Sequence, residues 1–341
     1  MYLDYFGLKD FPFRLTPDTD YLYMSPSHSR AISYMEYAVF NHEGFVVITG
    51  EIGSGKTTLI QKLLSDIDED INVAKIFQTQ LDEVEFLQAV LVEFGMNPFS
   101  AKKVELLNML NQFLIDSYMN NKHVVLIVDD AQNLSKRVLE EICMLSGVET
   151  KKEKILHVIL VGQPELNKTL ESSDMEQLLQ RISLRYHMRA LTEEEVKHYV
   201  EHRLSVAGYK KTLFRDECYE YAFKYCGGIP RLINTLCDTA LTCLYADNEN
   251  QVSLDTMKTA VEELQWSEYL DYKAKDKQKN EITEEQNAYN NQISDLLDKH
   301  AEVEEKDTGL SRINSFALVE ISKQLKRIAD VMEQQNKRDD K

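Results

Sequence analysis

The sequence predicts an α/β fold on a parallel sheet, followed by a small helical domain and a helical tail, and three observations carry that expectation. The apolar run Phe45-Val46-Val47-Ile48-Thr49 enters the stretch Gly50-Glu51-Ile52-Gly53-Ser54-Gly55-Lys56-Thr57, which leads into helix-forming Thr58–Leu64. Two more apolar runs, 123–128 and 155–161, each end in polar residues, as parallel strands buried on both faces do. From Leu191 onward strand signals stop and helical spacing takes over.

The glycine-rich stretch fits G-x-x-x-x-G-K-[ST] between a strand and a helix, the context that gives this pattern its meaning as a phosphate-binding loop. Its glycines let successive backbone N–H groups converge on phosphate oxygens, and the helix N-terminus adds partial positive charge. Lys56 is expected to reach the terminal phosphates of a nucleotide, with Thr58 opening the helix behind it. The Thr57 hydroxyl is expected to ligate Mg²⁺.

Residues 1–44 open with an extended, turning lead-in set by Tyr5-Phe6-Gly7-Leu8, Phe11-Pro12-Phe13 and Thr16-Pro17-Asp18. Ser25 and Pro26 read as the N-cap and first residue of a helix that carries Ile32, Met35, Tyr37 and Val39 toward the first strand. His28, in its first turn, belongs either near a nucleotide base or on ordinary surface. Residues 71–77 alternate like a strand, and helices are expected near 83–94 and 103–119. The run His123–Val128 closes on Asp129 and Asp130. Asp129 is placed to hold the metal shell and Asp130 to polarise an attacking water. A helix near 135–147 precedes the strand ending at Gly162-Gln163-Pro164, where Gln163 can reach a γ-phosphate or that water. If the next helix continues far enough, Arg181 and Arg185 share a face, available either to a phosphate or to local carboxylates. Thr192 then caps an acidic first turn. Helices follow near 193–207, 216–226, 230–246 and 253–265, and the turn Gly227-Gly228-Ile229-Pro230 aims Arg231 from a helix start.

This divides the chain into an α/β domain with its lead-in (1–190), a helical lid (191–266) and a charged linker with a tail (267–341). In the tail Leu318, Ile321, Leu325, Ile328 and Met332 make either a short coiled-coil seam or an amphipathic helix that docks on a partner or on the body. The chain carries 39 Lys and Arg against 57 Asp and Glu, a net charge of −18. That balance argues against nucleic acid as a default partner, because affinity for phosphate backbones comes mostly from cations. Five cysteines without C-x-x-C spacing read as buried hydrophobes in a reducing compartment. No signal-like start and no apolar run of ~20 residues are visible, so the expectation is a cytoplasmic protein whose membrane contact is peripheral, at the inner membrane.

Taken together, Tyr5–Leu8, Pro12-Phe13, Thr16–Asp18, Gly50–Thr57, Asp129–Leu134, Gly162–Leu166, Gln180-Arg181, Arg185–His187 and Gly228–Asn234 resemble the secretion ATPase family of general secretion pathway protein A. Ser29–Tyr34, Glu43–Gly50 and Leu236–Asp238 are most similar to the ATPases that accompany exosortase and exopolysaccharide export. The resemblance covers about residues 1–266. It implies an AAA+ P-loop NTPase: a parallel five-stranded sheet with a helical lid, working with ATP and Mg²⁺ as a homo-oligomer. Gln163 then becomes a sensor 1 candidate and Arg231 the lid's sensor 2, with Arg181 or Arg185 an arginine finger donated across a subunit interface. The implied partners are components of an envelope export machine. Two departures stand out. The family's Asp-Glu pair is Asp129-Asp130 here, one methylene shorter at the base, and a polar tail replaces the transmembrane and peptidoglycan-binding segments of the secretion member.

Three functions follow as alternatives. The first is a Mg-ATP-dependent ATPase that assembles or energises a secretion or exopolysaccharide export system. The second is a DNA-associated ATPase of the transposition type, which salt-sensitive DNA binding would reveal. The third, suggested by Asp130, is a switch that binds ATP and turns it over slowly.

Overall fold

Apolar runs uninterrupted by charge can lie only between two covered faces, and the strands of this protein are assembled that way. The computed structural model describes residues 2–40, 45–67, 70–99, 102–149, 154–271 and 274, and the account below concerns the compact unit Met1–Leu270. A short helix α1 (Tyr2–Phe6) opens the lead-in, and α2 (Pro26–Phe40) follows it. The body then runs β1 (Phe45–Gly50), α3 (Lys56–Asp66), β2 (Ile71–Ile76), α4 (Glu83–Glu93), α5 (Lys103–Met119), β3 (His123–Val128), α6 (Lys136–Leu145), β4 (Leu156–Gly162), α7 (Glu165–Leu170), α8 (Glu176–Arg181) and β5 (Leu184–Met188). The helical region is α9 (Glu193–Val206), α10 (Glu217–Cys226), α11 (Pro230–Ala246) and α12 (Leu254–Glu263).

The five strands pair in parallel in the order β2-β3-β4-β1-β5. Successive side chains of β3 alternate between two cores. Val124, Leu126 and Val128 join α4, α5 and α6, whereas Val125 and Ile127 join α2 and α3. This order sets the carboxyl ends of β1, β4 and β3 side by side, so Gly50, Gln163 and Asp129-Asp130 come to one rim. Ligands of open parallel sheets bind at that rim.

β5 is not among the strands expected from sequence. Leu184-Arg185-Tyr186-His187-Met188 alternates covered and exposed side chains at the sheet edge. A run so short and half polar resembles a helix extension unless its period of two is weighed. In consequence Arg181 ends α8 while Arg185 lies on β5. The two arginines therefore do not share a helix face, because the helix stops at Arg181.

Ser25 caps α2 as expected, its Oγ accepting the His28 N–H at 3.3 Å. The buried stripe is His28, Ala31, Ile32, Met35, Ala38 and Val39, at helical spacing. Tyr37 falls off it and is exposed, contrary to the sequence expectation. Thr192 and Glu195 close a reciprocal capping box on α9, with bonds of 3.3 and 2.8 Å. The five cysteines are free and buried, as read from their spacing.

The lead-in, grouped by sequence with the α/β body, sends its buried side chains elsewhere. Tyr2, Leu8, Phe13 and Tyr21 enter the core of the helical region with Val200, Phe214, Leu236 and Leu241. Arg203 of α9 is the tether. It is buried, and its guanidinium donates to the carbonyls of Pro12 (2.5 Å) and Arg14 (3.4 Å) and to the Tyr199 hydroxyl (3.1 Å). The helical stretch expected near 282–300 and the Leu318–Met332 seam lie outside the described residues.

Candidate functional site

Between β1 and α3 the chain makes the turn that the glycine spacing predicts. Gly53 (φ 79°) and Gly55 (φ 95°) adopt left-handed backbone, which a side chain would strain. Space forbids one at Gly53, where a Cβ would lie 2.5 Å from the Cβ of Arg231, and leaves little at Gly55, where it would lie 3.1 Å from His28 Nε2. Each glycine thus admits a second element to the loop.

Lys56 is buried at the start of α3, its Nζ donating to the carbonyls of Gly50 (2.8 Å) and Glu51 (2.9 Å). Burial pushes its ammonium down from the ordinary lysine range, against the pull of Asp129, Asp130 and Glu51. Beside it the Thr57 hydroxyl donates to Asp129 Oδ2 at 2.8 Å. That contact joins the two stretches, 72 residues apart, that the sequence assigned to a single metal. Burial pushes the Asp129 carboxyl up, while the Thr57 hydroxyl and the Asp130 N–H favour its ionised form. Among the described residues no three His, Cys, Asp or Glu side chains cluster. A hydroxyl, one carboxylate and phosphate oxygens are nonetheless an oxygen-donor set that suits Mg²⁺, which keeps few protein ligands.

Asp130 follows in left-handed backbone (φ 51°, ψ 38°), and its Oδ1 accepts from Gln132 Nε2 at 3.1 Å. Gln163 caps β4, its N–H donating to Gln132 Oε1 at 2.9 Å. Arg231, second residue of α11, donates its backbone N–H to the Gly53 carbonyl at 3.2 Å. No hydrogen bond or ion pair engages its exposed guanidinium among the described residues. These groups open onto a cavity of about 320 Å³ lined by Gly53, Gly55–Thr58, Asp130, Gln163 and Arg231, and roofed by Arg14–Asp18 and Tyr21–Tyr23 of the lead-in.

The arginine pair does not reach this cavity. Arg181 Nη1 donates to the Cys143 carbonyl at the end of α6 (2.9 Å) and lies where a side chain on Gly147 would sit. Arg185 pairs with Glu171 at 2.8 Å and with Asn167 Oδ1 at 2.9 Å. Of the two options left open by spacing, a local carboxylate therefore holds Arg185, and backbone oxygen holds Arg181.

Of the two expectations for His28 the surface one fails, and the residue lines the cavity. It is buried, with Nε2 donating to the Ser54 carbonyl at 2.9 Å and Nδ1 accepting from the Ser25 hydroxyl at 2.6 Å. It braces the loop from beneath, and burial pushes its pKa down from 6.5. A histidine that binds fewer protons folded than unfolded contributes stability that is complete above the unfolded value and is lost as pH falls toward the folded one. Thermal melts should therefore show destabilisation as pH drops from about 6.5 toward 5. The slope should be shallower in His28→Gln, whose amide can still donate to the Ser54 carbonyl. An identical slope would remove His28 as its source.

The sequence reading assigned no role to Gln132, although it stands two residues after Asp130. It also missed the lead-in roof and Arg203, whose partners lie nearly 200 residues away and leave no local signal.

Residues 40–170 match the model of the AAA domain. Over 253 residues the chain is 37% identical to general secretion pathway protein A of Aeromonas hydrophila, covering 74% of this chain and 46% of that protein, so it spans about half the length of this relative. The structure is similar to that of Cdc6p from Pyrobaculum aerophilum (TM-score 0.58, 14% identity, 73% of this chain and 71% of that one). It is similar also to the ORC2 protein of Aeropyrum pernix in its ADPNP–ADP complexes (TM-score 0.54, 16% identity, 70% and 67%). At such identities these two likenesses speak for the fold alone.

Proposed function

We propose that this chain, which is similar to general secretion pathway protein A and matches the AAA domain over residues 40–170, is an AAA+ ATPase that uses Mg-ATP to assemble or energise an envelope apparatus for secretion or exopolysaccharide export. The observation that carries the nucleotide part is the Thr57–Asp129 contact beside buried Lys56, on the rim where Gln163 and Arg231 also converge. Lys56 turns from the loop carbonyls to the terminal phosphates, and Thr57 with Asp129 holds Mg²⁺. Bound there, the ion neutralises charge on those phosphates. Asp130 takes the proton of the attacking water, Gln163 contacts the γ-phosphate or that water, and Arg231 reports nucleotide to the helical lid.

The export role is supported by the likeness to general secretion pathway protein A and by the resemblance of Ser29–Tyr34 and Leu236–Asp238. No described helix is long and apolar enough to cross a membrane; peripheral attachment at the inner membrane is part of the proposal. Turnover measured with and without nucleotide, DNA and lipid, alongside light scattering, tests the proposal. Nucleotide-dependent assembly and turnover indifferent to DNA are expected. Stimulation by DNA that fades with salt would favour a nucleic-acid role instead.

As a homo-oligomer the protein completes each site with a neighbour's arginine. Arg185, on the edge strand and held by exposed Glu171 and half-buried Asn167, is the better donor; Arg181 is committed to α6. Arg185→Ala should bind ATP near-normally and hydrolyse it at least ~10³-fold more slowly. Mixed with Lys56→Ala protein, it should regain activity at interfaces pairing an intact loop with an intact arginine. Absence of rescue, with monomeric behaviour, would refute donation in trans. Arg181→Ala should instead lower thermal stability.

A further inference from the structure

We infer that Gln132 is a positioning residue for hydrolysis: it aims the Asp130 carboxylate and ties it to the backbone of Gln163. The inference rests on the nucleotide reading of the site. Both ends of its amide are used, Nε2 toward Asp130 Oδ1 at 3.1 Å and Oε1 toward the Gln163 N–H at 2.9 Å. Flipping the amide would set donor against donor at Gln163 and acceptor against acceptor at Asp130, so the two bonds fix its orientation. Gln132 itself does not line the cavity, whereas Asp130 and Gln163 do. It therefore acts through them, as a strut across the tips of β3 and β4.

The backbone makes room for this strut. Gly162 needs no left-handed conformation, yet a Cβ there would lie 3.0 Å from Gln132 Oε1 and 3.3 Å from its backbone N. A side chain on Gly162 would thus crowd Gln132, together with the Leu166 side chain at 3.0 Å. A short carboxylate gains most from such bracing, since a misplacement of 1 Å can cost ~100-fold in rate. The strut also links the residue that contacts the γ-phosphate to the residue that moves the proton.

Single-turnover hydrolysis and equilibrium binding of ATP by the full chain test the inference. Gln132→Ala should slow hydrolysis by ~10- to 100-fold while affinity stays within about threefold, since the phosphate loop is untouched. Gly162→Ala should also slow hydrolysis at near-constant affinity, by displacing Gln132 and not removing it. Gln132→Glu keeps an acceptor for the Gln163 N–H but faces Asp130 with a second carboxylate. That repulsion should turn the Asp130 carboxylate aside, so Gln132→Glu should also slow hydrolysis at near-constant affinity. A purely structural Gln132 would lower thermal stability and leave the single-turnover rate of the folded protein in place. Hydrolysis within twofold of wild type in both Gln132→Ala and Gly162→Ala would overturn the strut alone. Wild-type protein that binds no ATP, or that binds it equally well as Lys56→Ala, would overturn the nucleotide reading, and the strut with it.

Discussion

Lys56→Ala is expected to abolish turnover, by ~100-fold or more, and to weaken ATP binding. Among the described residues no other lysine lines the cavity, and removing one preorganised donor from a charge-stabilising site costs about 10²- to 10³-fold. The same substitution strips the carbonyls of Gly50 and Glu51 of their donor. A thermal melt must therefore accompany the assay, since an unsatisfied buried carbonyl costs about 1–3 kcal/mol. Folded protein without activity is the expected result. Unchanged turnover would remove Lys56, and with it the loop, from the site.

Asp130→Asn should lower single-turnover hydrolysis by at least ~100-fold and leave ATP bound. The left-handed backbone at 130 makes this substitution clean. Asparagine and aspartate are the side chains that tolerate such geometry, so the asparagine variant keeps the turn while losing the base. The same geometry gives a physical reason for aspartate at this position. Asp130→Glu extends the carboxylate into the cavity but costs about 1–2 kcal/mol of backbone strain. We expect hydrolysis as fast as wild type or faster, in a less stable protein. Asparagine hydrolysing as fast as aspartate would place the activating group elsewhere.

What could be read in advance was whatever a short window contains. The strand, glycine turn and helix around Lys56, and the apolar run closing on Asp129, carry their meaning within some fifteen residues each. Sheet order then had only to bring them together, as the Thr57–Asp129 bond shows. β5 escaped because an edge strand needs only one covered face, so its composition is that of a surface helix. His28 escaped because its partners, the Ser54 carbonyl and the Ser25 hydroxyl, form a buried pair of bonds that no spacing encodes. The strut at Gln132 was in plain view, but its second partner sits 31 residues downstream.

The tether between the lead-in and α9 has a consequence for biosynthesis. Pro12 and Arg203 are 191 residues apart, and the Tyr2 hydroxyl meets Asp238 across 236. At about 5–20 residues per second, the ribosome releases the lead-in roughly 10–50 s before its partners exist. Through that interval Leu8, Phe13 and Tyr21 have no core to enter, while the intervening α/β body can already close. The nascent chain is thus a ready client for chaperones that hold apolar segments. The nucleotide cavity gains its roof only after α9 and α11 have been made, so an unfinished chain exposes its phosphate loop without the cover that the mature protein provides.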